Sequence, residues 1–234
     1  MLKEYIINNK SHRLNLFSKL RDKDDAYFIG YLSGGGAYHK KTKKRSHRMA
    51  VSSTDIYIID AFCDKYQPDS DPDLRPPNDS KKHNIKGKKC YKNLVMSSKF
   101  SDCFKPYGIM DLKPKRTLIN VSKKLMPFAI LGLFDSDGSI SWGKRKDRDR
   151  LWVDFKITHP SLNILNKISK YFSEELNISS FIVPKGEENC FVLRISKREF
   201  VREIFDFLYT EFPFVYNKFK YNSFKKFLKA YDAT

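Results

Sequence analysis

Apolar and polar residues along the chain follow a pattern that occurs twice. Tyr27–Lys40 and Ala129–Lys144 each begin with an apolar segment that contains a glycine, continue through a glycine turn and end with alternating apolar and polar residues. An apolar helix that stops at a glycine and continues as a half-buried strand has this pattern. We therefore predict a helix followed by a strand near the start of each half of the chain.

Two further similarities follow these segments in the same order in both halves. Ala50–Phe62 matches Lys156–Ile168: each has the end of a strand, a helix-start signal and apolar residues at helical spacing. Leu94–Ser98 matches Phe191–Ser196, each a short strand that runs into a helix-like stretch. The repeated unit is therefore α-β-β-α-β-β-α, and the predicted fold class is α+β with two pseudo-symmetric copies.

The copies meet near the middle of the chain. We predict an N-terminal repeat with a short extension over residues 1–121 and a C-terminal repeat over residues 122–234, because only a short Ser-Lys-Lys link separates them. Gln67–Asp79 holds four prolines and four aspartates, which predicts a loop rather than a strand or helix. The second copy has a compact hairpin around Pro184–Asn189 at the corresponding place.

Charge and composition restrict the class of partner. The chain has 45 Lys and Arg against 27 Asp and Glu, a net charge of +18, which predicts a polyanionic partner because cations that neutralise phosphates release counterions. The 41% of hydrophobic residues exclude a disordered basic tail. We expect an intracellular protein, cytoplasmic or organellar, because no long apolar run predicts a membrane span and Met1–Lys10 resembles neither a secretory nor a transit signal.

The apolar helix of the second copy ends in two carboxylates. Ile130–Gly138 reads ILGLFDSDG, so Asp135 and Asp137 lie at the helix end, just before a glycine. Such a carboxylate is held at a fixed, exposed point, which suits Mg²⁺, a hard cation that proteins bind through one or two carboxylates. On this segment alone, solvated acids at a glycine cap are the alternative.

Together, the two copies of this motif closely resemble the LAGLIDADG homing endonuclease family in its single-chain, two-motif form. The first motif, Phe28–Gly36 (FIGYLSGGG), matches at Gly30 and Gly36. The resemblance covers about Asp25 to Tyr231 and includes the repeat topology. It implies a monomer whose motif helices pack through their glycines and whose antiparallel sheets form a saddle that binds double-stranded DNA. The second motif matches at Gly132, Leu133, Asp135, Asp137 and Gly138.

The resemblance also implies an activity and a cofactor. Members are site-specific nucleases of intron or intein mobility that hydrolyse one phosphodiester bond in each strand of a long duplex, with Mg²⁺, for which Ca²⁺ or Mn²⁺ substitutes in binding or activity. Carried over by position, the metal-binding acid is Asp137, with Ser136 and Gly34 as further metal contacts. In the first copy, Gly35 occupies the position of the acid.

Gly35 departs from the family pattern, because glycine has no side chain to ligate a metal and the family uses one acid from each copy. Either an acid was changed to glycine to trap a DNA complex, or a natural loss left a nickase or a protein that only binds. The alternative function is a decayed LAGLIDADG protein that acts as an intron-RNA maturase or a DNA-binding regulator. RRM-type aromatic signatures are absent, which disfavours an unrelated RNA-binding protein.

The resemblance assigns a lysine to each active site, late in each copy. The matching lysines are Lys113, within Ile109–Arg116, and Lys218, within Phe214–Tyr221. A further lysine follows two residues beyond each. The same resemblance places His159, at the end of a predicted strand, at a polar position near the nucleophilic water and makes it a candidate general base. Solvated lysines and a helix-start histidine are the alternatives.

The basic hairpin after each motif is the predicted DNA-reading element. One face of a strand packs on the core while the other can enter a major groove, and flanking lysines contact phosphates. A basic edge that only deters aggregation is the alternative. The predicted DNA contacts are Tyr38, Lys40, Lys41, Lys43, Lys44, Arg45, Arg48, Ser139, Ser141, Trp142, Lys144, Arg145, Lys146 and Lys156.

Overall fold

A computed structural model gives the fold of most of the chain. It describes residues 4–7, 10–13, 20, 22–43, 46–67, 72–75, 91–118, 120–144, 151–186, 189–211, 213 and 215–233. No helix in these ranges is long and apolar enough to cross a membrane. A short hairpin of β1 (Glu4–Ile7) and β2 (Lys10–Arg13) precedes the first repeat.

Both repeats contain the predicted order α-β-β-α-β-β-α, which confirms the fold class. The first consists of α1 (Lys23–Gly35), β3 (Gly36–His39), β4 (Arg48–Ser53), α2 (Ile56–Tyr66), β5 (Asp73–Arg75), β6 (Tyr91–Val95) and α3 (Ser98–Asp102). The second consists of α4 (Met126–Asp137), β7 (Gly138–Lys144), β8 (Leu151–His159), α5 (Leu162–Leu176), β9 (Phe181–Pro184), β10 (Phe191–Ile195) and α6 (Arg198–Tyr209), followed by α7 (Lys218–Asp232). The prediction that Gln67–Asp79 contains no strand is wrong, because β5 lies within it and pairs with β6.

Each repeat contributes one antiparallel four-stranded sheet, and the two sheets have the same topology. Their strand orders are β3-β4-β6-β5 and β7-β8-β10-β9. The register also repeats, since Gly36 pairs with Val51 in the first sheet and Gly138 pairs with Ile157 in the second. The glycine that ends each motif helix therefore begins an edge strand at an equivalent place.

The helices cover one face of the second sheet and leave the other face exposed. Ser161 accepts a hydrogen bond from the backbone of Ile164 and so caps the start of α5. Apolar residues at helical spacing on α5 then pack on the sheet, where the ring centroids of Phe155 and Phe172 are 6.4 Å apart. Alternation along β8 and β10 places Phe155 and Leu193 on this buried face and their neighbours on the opposite face.

The two repeats are joined by α1 and α4, which pack side by side and run in the same direction. An ideal Cβ at Gly30 would lie 1.8 Å from the carbonyl oxygen of Ala129, and one at Gly132 would lie 1.9 Å from that of Tyr27. Nearly every residue of both helices is buried. Glycine at these two positions therefore lets the helix backbones touch.

A buried carboxylate links the elements that meet at this junction. Asp135 Oδ2 accepts hydrogen bonds from the Tyr27 hydroxyl at 2.9 Å and from the Asn217 backbone N–H at 2.7 Å. Its Oδ1 has no hydrogen-bond partner in the described part of the chain. Burial raises the pKa of Asp135 to about 7, although the two hydrogen bonds favour the ionised form. The side chain thus ties α4 to α1 and to the start of α7, at an electrostatic cost.

Substitution of either helix-contact glycine by alanine is expected to destabilise the protein. Gly30→Ala and Gly132→Ala each place a methyl group where a backbone carbonyl lies, and such overpacking costs about 1–3 kcal/mol or more. Gly35→Ala is the matched control, because its Cβ would have no neighbour closer than 3.6 Å. Urea unfolding of the three variants checks this, and equal stability of all three would contradict the described helix contact.

The stability of the protein should also depend on the ionisation of Asp135. Between its ordinary pKa of 3.8 and its folded pKa of about 7, the folded protein holds a proton that the unfolded chain has released, so the free energy of unfolding falls as pH rises. Asp135→Asn keeps an acceptor for Tyr27 and removes the charge. We expect this variant to be more stable than the wild type at pH 8, by on the order of a few kcal/mol, and the difference to shrink toward pH 4. Unfolding curves at both pH values test this, and a pH-independent loss of stability would refute it.

Candidate active site and nucleic-acid interface

The motif helices end side by side, so their last turns form one site. An ideal Cβ at Gly34 would lie 2.1 Å from Ser136 Oγ and 2.8 Å from Asp137 Oδ2. The Asp137 side chain is partly exposed, and no described residue donates a hydrogen bond to its carboxylate or forms an ion pair with it. Because helix C-termini carry partial negative charge, an unpartnered carboxylate here favours a cation.

A lysine in the first turn of α7 neutralises the C-terminus of α4. The last turn of α4 contains no basic residue. Instead, Lys220 Nζ donates hydrogen bonds to the carbonyl oxygens of Phe134 at 2.6 Å and Asp135 at 2.7 Å. Burial lowers the pKa of Lys220, and nearby acids, Asp137 among them, oppose this shift.

Arg116 neutralises the C-terminus of α1 in the same way. Its guanidinium donates to the carbonyl oxygens of Leu32 at 3.1 Å, Ser33 and Gly36 at 2.9 Å, and its side chain is fully buried. Leu32 and Ser33 occupy the positions in the first motif that Phe134 and Asp135 occupy in the second. Burial lowers the pKa of Arg116 to about 10, so it remains charged at neutral pH. Sequence reasoning missed both roles, since neither cation is near its helix in sequence.

Contacts with residues of the first repeat help to hold Lys220 in place. Asn217 caps α7, because its Oδ1 accepts a hydrogen bond from the Lys220 backbone N–H at 3.0 Å. The Asn217 amide in turn donates to Asp55 Oδ2 at 2.6 Å, and its backbone N–H donates to Asp135. The start of α7, and with it Lys220, is therefore fixed by both repeats.

The two predicted active-site lysines lie in different surroundings. Lys218 Nζ lies over the Tyr57 ring, 5.6 Å from its centroid, so Lys220 rather than Lys218 reaches the end of α4. Lys113 begins a short 3₁₀ turn and is partly exposed. Burial is the main cause that lowers the pKa of His159, and the charge of Lys113 also lowers it. Lys113 therefore lies close enough to His159 to influence its charge, whereas Lys218 contacts the Tyr57 ring.

His159 links the second sheet to the end of α1. Its Nε2 lies 3.1 Å from the carbonyl oxygen of Ser33, and its Nδ1 accepts a hydrogen bond from the Ser161 backbone N–H at 3.0 Å. The side chain is buried, and burial lowers its pKa while Asp137 opposes that shift. Since both ring nitrogens have partners, these contacts support a positioning role more directly than the predicted role as general base.

The position of the missing acid has room for a side chain. An ideal Cβ at Gly35 would lie 3.6 Å from Ser136 Cβ and 3.7 Å from the Tyr31 ring, which are ordinary van der Waals distances. Gly34, one residue earlier, has no such space. Packing therefore explains glycine at position 34 but not at position 35.

Of the two motif-helix ends, only the end of α4 offers a side chain that suits a hard cation such as Mg²⁺. No group of three or more His, Cys, Asp or Glu side chains clusters within the described ranges, so a closed protein cage is not formed there. Mg²⁺ commonly binds one or two carboxylates together with substrate phosphates. Asp137 can supply one such carboxylate, with the Ser136 and Gly34 carbonyls as candidate ligands, whereas Gly35 supplies none.

The exposed sheet faces carry only part of the predicted DNA contacts. Ser139 and Ser141 are exposed on β7, but Trp142 is on the other face, with its ring centroid 6.4 Å from that of Phe227. Tyr38 pairs with the fully buried Met49 and so also lies on the core side. Strand alternation therefore places Tyr38 and Trp142 on the core side of their sheets, which argues against the predicted DNA contacts of these two residues.

The remaining predicted contacts are exposed or lie outside the described ranges. Lys40, Lys41, Lys43 and Lys144 are exposed, and Arg48 and Lys156 are partly exposed. Lys44, Arg45, Arg145 and Lys146 lie outside the described residues. Three residues of the exposed face were missed from the sequence, namely Trp152, Phe181 and Arg194.

Known proteins share this architecture. A family model described as a LAGLIDADG-like domain matches residues 129–207. No curated protein matches the sequence significantly.

Solved structures of this fold include DNA complexes. The meganuclease I-SmaMI bound to uncleavable DNA with a TTCT central four has a TM-score of 0.57 and 12% identity, over 87% of this chain and 88% of that chain. The LAGLIDADG homing endonuclease I-GzeII in complex with its DNA target has a TM-score of 0.56 and 12% identity, over 88% and 89%. These likenesses show the fold, and together with the domain match over residues 129–207 they agree with the resemblance to the LAGLIDADG homing endonuclease family found in the sequence.

Proposed function

We propose that this chain is a monomeric, site-specific DNA-binding protein that hydrolyses one strand of a long duplex target with the help of a divalent metal. The observation that carries the proposal is the partly exposed Asp137 carboxylate, which lies without a protein partner in the described ranges where two helix C-termini meet. Duplex DNA is the proposed partner because the chain carries a net charge of +18 and its fold occurs in DNA complexes of I-SmaMI and I-GzeII.

The exposed faces of the two sheets are the proposed DNA-binding surface. They follow directly from the motif helices, since β3 begins at Gly36 and β7 at Gly138. A duplex that lies along both faces therefore passes over the helix ends. Exposed lysines in the β3–β4 connection, such as Lys40 and Lys43, are placed to contact phosphates, while strand side chains such as Ser139 face the groove.

The residues around Asp137 organise this site for phosphate hydrolysis. Asp137 is the proposed ligand of Mg²⁺, or of Ca²⁺ or Mn²⁺ in its place, and a bound metal supplies charge stabilisation at the phosphate. Lys220 and Arg116 keep the carbonyl-rich helix ends in place, and His159 fixes the end of α1 through Ser33. Lys113, partly exposed beside His159, is the proposed contact to the phosphate.

The absence of an acid at position 35 is the basis for proposing single-strand hydrolysis. Only one of the two equivalent positions carries a carboxylate, so only one strand meets a side-chain metal ligand. The same observation favours a second candidate, a LAGLIDADG protein that binds without cleaving, either as an intron-RNA maturase or as a DNA-binding regulator. Cleavage assays separate the two.

Changes at positions 137 and 35 should have opposite effects on cleavage. Asp137→Asn is expected to lower nicking of a plasmid that carries the selected site by roughly 100-fold or more, with binding within about tenfold of the wild type, because the metal supplies several kcal/mol at the transition state. Gly35→Asp is expected to convert nicked product into linear product, since the new carboxylate has room beside Ser136.

Gly35→Asn is the matched control, because it adds a side chain of the same size without the charge. The assay compares supercoiled, nicked and linear plasmid with Mg²⁺ present and with the metal chelated. Normal binding of Gly35→Asp with no linear product, together with no nicking by the wild type, would make the non-cleaving candidate the better account.

Lys220 and Lys218 provide a second test of the site. Lys220→Met removes a cation that binds two helix-end carbonyls, so we expect slower nicking and a loss of stability of about 1–3 kcal/mol. Lys218→Met should retain the stability and nicking rate of the wild type and weaken DNA binding only slightly. Thermal unfolding and nicking rates measured on both variants check this, and the reverse order would restore Lys218 as the active-site lysine.

A further inference from the structure

We propose that Arg194 reads a guanine in the half of the target bound by the second sheet, and that Asp154 holds the Arg194 guanidinium in the reading position. The inference rests on the proposed function and adds to it the chemistry of one base pair of the target. Arg194 lies on β10, outside the hairpins that the sequence pattern marks as DNA-reading elements, and Asp154 is not among the predicted DNA contacts.

Arg194 lies in a row of residues that crosses the exposed face of the second sheet. In the strand register, Ser139 is opposite Lys156, Lys156 is opposite Arg194, and Arg194 is opposite Phe181. Side chains of directly paired residues point to the same side of a sheet. Since Ser139 is the second residue of β7, the strand that follows α4 directly, this row lies on the proposed DNA-binding face, close to the end of α4.

A single carboxylate organises two cations in this row. Asp154 Oδ1 and Oδ2 accept hydrogen bonds from Arg194 Nε at 3.3 Å and Nη2 at 2.7 Å, and Lys156 Nζ lies 2.7 Å from Oδ2. The Asp154 side chain is 11% exposed and the Arg194 side chain 45% exposed. Partial burial of Asp154 works against ionisation, but the hydrogen bonds of Arg194 and Lys156 outweigh it and lower its pKa. The carboxylate is therefore ionised at any pH suited to DNA binding.

The geometry of this pair leaves the outer end of the guanidinium available. Arginine has five N–H donors in a planar fork, and Asp154 occupies the side formed by Nε and Nη2. The end formed by Nη1 and Nη2 keeps two parallel N–H groups, and no described residue accepts a hydrogen bond from Nη1. Two parallel donors match O6 and N7 of guanine, which lie at the edge of the major groove.

A carboxylate on a DNA-binding face repels phosphates, so the presence of Asp154 there needs an explanation. Asp154 is covered by two cations, and its contact fixes a long side chain that would otherwise lose rotamer freedom on binding. The guanidinium also borders an open cavity of about 640 Å³ that Trp152 and Lys197 line, so a base edge has space beside it. These features favour a preorganised reading group over an ion pair that only holds the sheet together.

Selection of bound duplexes from a random library tests the proposal. We expect the wild type to select one G·C pair in the half-site of the second sheet, and Arg194→Lys, which keeps the charge but not the fork, to lower that preference roughly 5- to 150-fold. Asp154→Asn should lower the preference at the same base pair while overall affinity stays equal or rises. Arg202→Ala is the control, since it removes an arginine that pairs with Asp232 at 2.7 Å on the helical side, and it should change no base preference.

Melting temperatures establish that each variant is folded before its selected sequences are compared. If the wild type selects a site and Arg194→Lys selects the same sequences with the same preferences, the inference is wrong. It is also wrong if Asp154→Asn weakens binding to all sequences equally. A wild-type protein that selects no sequence at all would overturn the proposed function, and this inference with it.

Discussion

The close contact between the backbones of α1 and α4 joins the two repeats and determines where the ends of both motif helices lie. Because Gly30 and Gly132 bring the helices together while they run in the same direction, both helix C-termini arrive at one place. Their partial negative charges would repel each other there. Arg116 and Lys220, each from the end of its own repeat, bind the exposed carbonyl groups and remove that conflict.

The same geometry explains why the chemistry of the site is one-sided. Asp137 and Gly35 occupy equivalent positions on helices that are otherwise matched in packing, in strand register and in the cation at the helix end. Space is available at Gly35, so the difference between the two sides is chemical rather than steric. The helix pair therefore keeps its frame although only one of the two equivalent positions carries a carboxylate.

The sequence was sufficient to predict the fold and the acid position, because both depend on local patterns repeated at a nearly constant spacing. The sequence was not sufficient for features that depend on which face of a strand a residue is on, or on contacts between residues distant in sequence. The faces of Tyr38 and Trp142 depend on the phase of strand alternation, and β5 is too short and too rich in turn-forming residues to be recognised. The contact of Lys220 with the end of α4 depends on where α7 begins, and contacts from residues distant in sequence determine that position.

Asp137 is proposed to bind a metal over the middle of a bound duplex. The most direct measurement is anomalous diffraction from crystals of the complex between this protein and its selected DNA, grown with Mn²⁺. We expect one strong peak between the Asp137 carboxylate and a phosphate of one strand, with the duplex lying along both exposed sheet faces. A peak beside Gly35 instead, or DNA bound away from the helix ends, would contradict this proposal.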